Sequence, residues 1–192
     1  MSAGEVYSIQ PVFFPHIRPA GIKPVPPGIH GGRTHLTGPP QPHEGADVDA
    51  IQLLIQDHGD AKKALQAVED ARGGAKKELF AALARDLKVH NRVEENLFYP
   101  AVRGFVETAG YAPADREAHQ SVEKALLRLK ALPVDDPHWA TVFDLMRTQL
   151  LRHIADEETH LFPKVRSYLD DAKLQELGKR MKLEKDRLMA PV

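Results

Sequence analysis

Two stretches of this 192-residue chain carry metal-binding residue types at a spacing that lets them act together: His90-Asn-Arg-Val-Glu94-Glu95-Asn-Leu-Phe-Tyr-Pro100 and His153-Ile-Ala-Asp-Glu157-Glu158-Thr-His-Leu-Phe-Pro163. In each, a carboxylate follows a histidine by four residues, one helical turn, so both side chains leave the same face and can reach one ion. Upstream, His58-Gly-Asp-Ala-Lys62-Lys63-Ala64-Leu65 mirrors His119-Gln-Ser-Val-Glu123-Lys124-Ala125-Leu126. The chain therefore holds a duplicated unit of a His followed by HxxxE. Four His and two Glu suit a pair of mid-row transition metals better than calcium or magnesium, whose ligands are oxygen. The absence of cysteine excludes thiolate zinc sites and iron–sulfur clusters.

Helices must position these groups. From Asp47 the sequence takes on helical periodicity, broken at Gly73-Gly74, from Gly104 to Pro113, and from Pro133 to Pro137. The breaks predict four helices near 47–72, 75–103, 114–131 and 138–168. Apolar residues spaced by three and four form one seam per helix: Ile51, Leu54, Leu65 and Val68; Phe80, Leu83, Leu87 and Leu97; Val122, Leu126 and Leu129; Phe143, Met146 and Leu150. Short connections keep consecutive helices adjacent, which predicts an all-α, up-down-up-down antiparallel four-helix bundle.

The six candidate ligands, His58, His90, Glu94, His119, His153 and Glu157, fall in those seams where Leu or Val would otherwise stand. An ionised carboxylate buried without a partner costs several kcal/mol or more, so these groups must be paired with something. At about 1.5 Å rise per residue, His58 lies roughly 16 Å into the first helix, and Glu94 and His90 lie about 13 to 20 Å from the end of the second. In antiparallel neighbours those heights coincide. His160 occupies the place that Leu97 holds in the other half, and is expected to be buried and hydrogen-bonded, or to serve as a relay. Glu95 and Glu158 are expected at the surface or behind the ligands. The Phe98-Tyr99-Pro100 and Leu161-Phe162-Pro163 ends read as packing that closes each helix.

Residues 1–46 hold nine of the fifteen prolines and seven of the thirteen glycines, which predicts a Pro/Gly-rich tail without regular helix or central strand. Val12, Phe13, Phe14 and Ile17 are apolar anchors expected to lay part of it on the folded domain. Its His16, His30, His35 and His43 lack helical register. Residues 47–168 form the bundle. Residues 169–192, with Leu174, Leu177, Met181 and Leu188 among Lys and Arg, form an extra amphipathic helix, crossing one end of the bundle or making a subunit contact as in a homodimer. The net charge of -1, with both signs interspersed, argues against nucleic acid as a partner. No apolar run approaches the roughly 20 residues needed to span a bilayer, and no signal peptide is evident, so a cytoplasmic location is the expectation.

On the His, HxxxE, His, HxxxE pattern, residues 48–168 resemble the hemerythrin-like family, the HHE cation-binding domain. The resemblance implies a non-haem di-iron centre with a bridging oxide or hydroxide. His58 and His90 would bind one iron, His119 and His153 the other, and Glu94 and Glu157 would bridge. Oxygen-carrying members place a further His where this chain has Glu123, and use HxxxxD in the last helix where this chain has HxxxE. It is thus similar to a bacterial branch with a more carboxylate-rich site. Lys62 stands at the equivalent of Glu123 in the first half, which fits a solvent-facing Glu; the family's use of the position makes Glu123 a seventh candidate ligand.

Two octahedral irons need roughly twelve donors, of which these residues and the bridge supply about ten, leaving open positions for a small oxidant: peroxide, oxygen or nitric oxide. Three functions remain open: an oxidoreductase acting on peroxide in a catalase-like manner or detoxifying oxygen or nitric oxide; an oxygen- or iron-binding sensor or carrier without turnover; and iron storage or delivery for cluster repair. No catalytic residue beyond the ligands is legible.

Overall fold

The computed structural model describes residues 48–105, 108 and 110–191; the N-terminal tail, with its four histidines and apolar anchors, lies outside the described residues. The regular structure of the described residues is entirely helical, with no strand. Helix α1 (Ala50–Asp70) starts at Asp49, whose side chain accepts from the Gln52 N–H while Gln52 reaches back to the Asp49 N–H, a closed capping box. A two-residue link leads to α2 (Gly73–Val93), entered through Gly73 in the left-handed region at φ 53°, where a side chain would be strained. Helix α4 (Tyr111–Ala131) follows the short α3 (Tyr99–Val102). Helix α5 (Pro137–Asp156) is capped by Asp136 and starts with Pro137, whose missing N–H is no loss there.

Helices α2 and α5 do not stop at Glu94 and Glu157. Each widens into a π-helical turn, Glu94–Phe98 and Glu157–Leu161, and then resumes as α3 and as α6 (Phe162–Tyr168). The prolines supply the reason. Pro100 and Pro163 have no N–H to offer the preceding turn, and their rings crowd the carbonyl four residues back. Bonding from Tyr99 to the Glu94 carbonyl, and from Phe162 to the Glu157 carbonyl, opens the helix just before each ring. The Phe-Tyr-Pro and Leu-Phe-Pro segments therefore carry each helix onward instead of closing it.

Helix α1 packs along α2, and α4 along α5. Two apolar clusters fill the interior. One gathers Leu54, Val93, Phe98, Phe162 and Val165 with Leu174 and Met181; the other gathers Leu65, Leu83, Leu126, Met146 and Ile154 around Trp139, which stacks on Phe143. Between them lies a layer of buried polar residues.

The C-terminal stretch forms α7 (Asp171–Met189), capped by Asp170 and packed on α1, α2 and the first π turn. At Gly178 it comes so close to α1 that a Cβ would stand 2.5 Å from the Val48 carbonyl oxygen and 2.8 Å from the Ala50 nitrogen. Gly178→Ala must push α7 away, and a loss of about 1–3 kcal/mol in denaturant unfolding is expected, as for other overpacked sites. A neutral result would mean that α7 is loosely seated.

Candidate metal centre

Six buried side chains from four helices meet in the polar layer: His58 from α1, His90 and Glu94 from α2 and its π turn, His119 from α4, His153 and Glu157 from α5 and its π turn. Each sits where helical periodicity would put an apolar side chain. Glu94 and Glu157 have no solvent exposure at all. Their contacts cross the duplication. Glu94 Oε2 lies 3.3 Å from His90 Nε2 and 3.2 Å from His119 Nε2. Glu157 Oε2 lies 3.2 Å from His58 Nε2 and 3.6 Å from His153 Nε2. Each carboxylate thus faces one imidazole from each half.

The potential ligand atoms fall into overlapping groups: His58, His90, Glu94 and Glu157; Glu94, His119 and His153; and Asp115, His153 and Glu157. Within each group all atoms lie within 4.8 Å of one another. His119 Nε2 and His153 Nε2 are 3.0 Å apart. His58 Nε2, Glu94 Oε1 and Glu157 Oε2 are buried and complete no hydrogen bond among the described residues. Unsatisfied buried polar atoms cost about 1–3 kcal/mol each, and cations in their midst would satisfy them. The nitrogen and oxygen donor set fits mid-row transition metals.

A second tier of carboxylates backs the imidazoles. Glu158 Oε1 is 3.0 Å from His58 Nδ1, Asp57 Oδ2 is 3.5 Å from His90 Nδ1, Glu95 Oε1 is 3.4 Å from His119 Nδ1, and Asp115 Oδ1 is 3.5 Å from His153 Nδ1. The first and third of these are hydrogen bonds, whereas Asp57 and Asp115 approach at ion-pair range and His90 Nδ1 completes no hydrogen bond among the described residues; a carboxylate hydrogen-bonded at Nδ1 fixes the tautomer, holds the ring's orientation and makes Nε2 a better donor to a metal. Consecutive helical residues point about 100° apart, so neighbouring carboxylates reach opposite edges of one imidazole: Glu94 meets His119 Nε2 and Glu95 its Nδ1, while Glu157 meets His58 Nε2 and Glu158 its Nδ1.

The structure does not bring Glu123 to the centre. Glu123 is exposed and belongs to none of the three groups. It lines a groove of about 400 Å³ between α2 and α4, with Lys88, Arg92, Glu95, His119 and Lys130. The carboxylate that α4 does supply is Asp115, one turn before His119 instead of one turn after it. Asp115 went unread in the sequence, although it continues the α4 seam backwards by four residues, which was a usable signal. His160 also departs from expectation: it is exposed and ion-paired with Asp156 at 3.0 Å. The π turn adds a residue to its helical turn and so rotates it out of the seam.

Tyr99 does more than pack: it meets both buried carboxylates. Its hydroxyl donates to Glu157 Oε1 at 2.9 Å and lies 3.4 Å from Glu94 Oε2. Burial, followed by the charges of Glu94 and Glu157, pushes the phenol well above its ordinary range, so it keeps its proton. The other half carries Phe162 there, stacked on His58 at 5.7 Å.

Burial alone would strip His90 and His153 of charge. The Glu94 carboxylate with Asp57 reverses this for His90, raising it to about 10, and Glu157 with Asp115 raises His153 to about 9. Although burial opposes it, Glu94 is held well below the usual carboxylate range by His90 and His119. Burial, reinforced by Glu157 and Glu94, raises Asp115 to about 6. Histidines raised from an unfolded value of about 6.5 contribute stability in full below that pH and lose it as pH climbs through the folded values. Metal-free protein is therefore expected to weaken as pH rises from about 6.5 toward 9 and 10. Metal loading at neutral pH should release protons from the same two rings. Calorimetric titration in buffers of different ionisation enthalpy counts them, and no release would contradict a protonated pair.

A family model for the hemerythrin HHE cation-binding domain matches residues 49–165. A protein of Mycobacterium tuberculosis is 31% identical over 105 residues, 54% of this chain and 63% of that protein. A DNA nickase of Nostoc is 24% identical over 147 residues, 74% of this chain and 40% of the nickase. The chain thus spans less than two thirds of the length of the curated relatives it matches. Among solved structures, the crystal structure of a hemerythrin HHE cation-binding domain-containing protein from Mycobacterium kansasii is similar, with a TM-score of 0.65 and 25% identity over 73% of this chain and 87% of that one.

Proposed function

Because the chain belongs to the hemerythrin HHE cation-binding domain family, we propose that its His–Glu layer holds two irons and acts on a small oxidant, peroxide ahead of oxygen or nitric oxide. In this reading His58 and His90 hold one iron, and His119 and His153 the other. Glu94 and Glu157 would be shared between the two irons, with an oxide or hydroxide completing the centre. Helices α1, α2, α4 and α5 make an antiparallel up-down-up-down bundle that presents the ligands at one height. The observation that carries the reading is the crossed pattern of contacts, in which each carboxylate faces one imidazole from each half.

A bound iron pair would supply redox equivalents and Lewis acidity for a two-electron change in a small substrate. The chain's own residues do the rest. Glu158, Asp57, Glu95 and Asp115 hold the Nδ1 faces and so aim the Nε2 lone pairs inward. Tyr99 keeps a proton on its hydroxyl oxygen beside Glu157, within reach of the layer. The two apolar clusters on either side keep bulk water out.

Anaerobic iron loading should give about two irons per chain and, after oxidation, near-ultraviolet charge-transfer bands from the bridge. Added peroxide should then yield steady oxygen evolution. Stoichiometric zinc with ample iron present, and no such bands after loading, would sink the di-iron reading. Two irons without turnover would move the protein to the oxygen- or iron-binding class.

A further inference from the structure

Helix α7 lies beyond the family match, which ends at residue 165, yet it reaches the centre. Leu174, Leu177 and Met181 are buried, and Gly178 is pressed against the start of α1. This seating brings Lys185 into direct contact with Asp57 Oδ1. The other oxygen of Asp57 faces His90 Nδ1, and His90 Nε2 faces Glu94. A chain of close charged contacts, none longer than 3.5 Å, thus runs from α7 to the candidate ligands: ammonium, carboxylate, imidazole, second carboxylate. Lys62 makes a parallel path from α1, at 3.0 Å from Glu158, which backs His58.

The pair is not an ordinary surface ion pair. Lys185 is 32% exposed and Asp57 11%. Both border a cavity of about 200 Å³ that also touches His58, His90, Leu87 and Met189. That cavity gives Asp57 somewhere to swing if Lys185 lets go, and an Asp57 that swings away takes from buried His90 Nδ1 the one carboxylate among the described residues within 3.5 Å of it.

We propose that Lys185 is a positioning residue for His90: acting through Asp57, the C-terminal helix holds the imidazole in its metal-binding orientation and sets how tightly the His58–His90 half keeps its ion. The proposal rests on the two-metal reading. Loss of an outer partner of a ligating histidine costs about 10–100-fold in metal affinity, so Lys185→Met should loosen one ion by that factor and leave the other unchanged. Lys185→Arg, which keeps the charge and a donor, should restore affinity to within about threefold of wild type. In combination with Asp57→Asn, Lys185→Met should add nothing, because both act on one path. Lys182→Met, on the exposed Lys182–Asp186 pair one turn away, is the control and should change nothing.

The experiment is chelator competition on full-length protein loaded with cobalt(II) or iron(II), scored as ions retained per chain. Equal retention in wild type and Lys185→Met overturns the proposal, as does equal loosening of both ions, additivity with Asp57→Asn, or failure of Lys185→Arg to rescue. Metal-free protein supplies a readout independent of loading: the His90 Nδ1–H resonance should persist in wild type and Lys185→Arg and broaden or vanish in Lys185→Met. A resonance unchanged by Lys185→Met also overturns it. A wild type that binds only one ion would sink the two-iron reading instead, and the His90 resonance would still decide the role of Lys185.

Discussion

Alanine at Glu94 or at Glu157 is expected to empty both halves of the centre, whereas alanine at His58 should empty one. The difference follows from geometry. Glu94 contacts His90 and His119, one from each half, and Glu157 contacts His58 and His153 in the same crossed way. Removing either carboxylate deletes a donor from two sites at once and leaves the imidazoles with one of the two fully buried carboxylates that face their Nε2 atoms. His58, in contrast, belongs to a single group of candidate ligands. Metal analysis should read near zero ions per chain for Glu94→Ala and Glu157→Ala, and about one for His58→Ala, with helical content retained in all three. Loss of a single ion in every variant would show that neither carboxylate bridges.

Stripping the metals from the wild type should lower its thermal midpoint by a large margin. Ligand linkage contributes about 4 kcal/mol per ion when the free metal is a thousandfold above its dissociation constant. For a domain of this size each kcal/mol moves the midpoint by about 2–4 °C, so a fall of roughly 8–16 °C per ion is expected. The layer cannot simply relax to make good that loss. Glu94 and Glu157 are fully buried, and without cations their charge is balanced only by protonation of neighbouring imidazoles, notably His90 and His153. Calorimetry before and after chelation measures the shift. A change of less than about 2 °C per ion would mean that the polar layer is self-sufficient and that its residues serve packing alone.

The helices and the six His and Glu side chains that meet in the polar layer were legible because both are written in local spacing. Leu83, Leu87, His90 and Glu94 mark one face of α2 whatever surrounds it, and the breaks at Gly73 and Pro137 are backbone facts. The groups that back the ligands were harder to read, since His58 meets Glu158 and His90 meets Asp57 across long stretches of sequence. Asp115 was within reach of the same spacing rule that found Glu94, applied backwards from His119. Glu123 was placed by likeness instead of by local physics, and the α4 surface leaves it facing solvent. His160 was misplaced because a uniform helical period was carried through residues 157–161, where the helix is widened.

The two π turns bind the chemistry to the packing. Each inserts one residue between the buried carboxylate, Glu94 or Glu157, and the aromatic segment behind it, so everything downstream is out of phase with an uninterrupted helix. Deleting a residue from 95–97 would restore that phase and leave His90 and Glu94 in place. It would also swing Phe98, Tyr99 and Val102 by about 100°, taking the Tyr99 hydroxyl off the carboxylates and two large side chains out of the interior. The same holds on the other helix for Phe162 and Val165. A single-residue deletion in either segment therefore cannot be absorbed locally, because it takes the buried side chains that follow the turn out of register with the interior they fill.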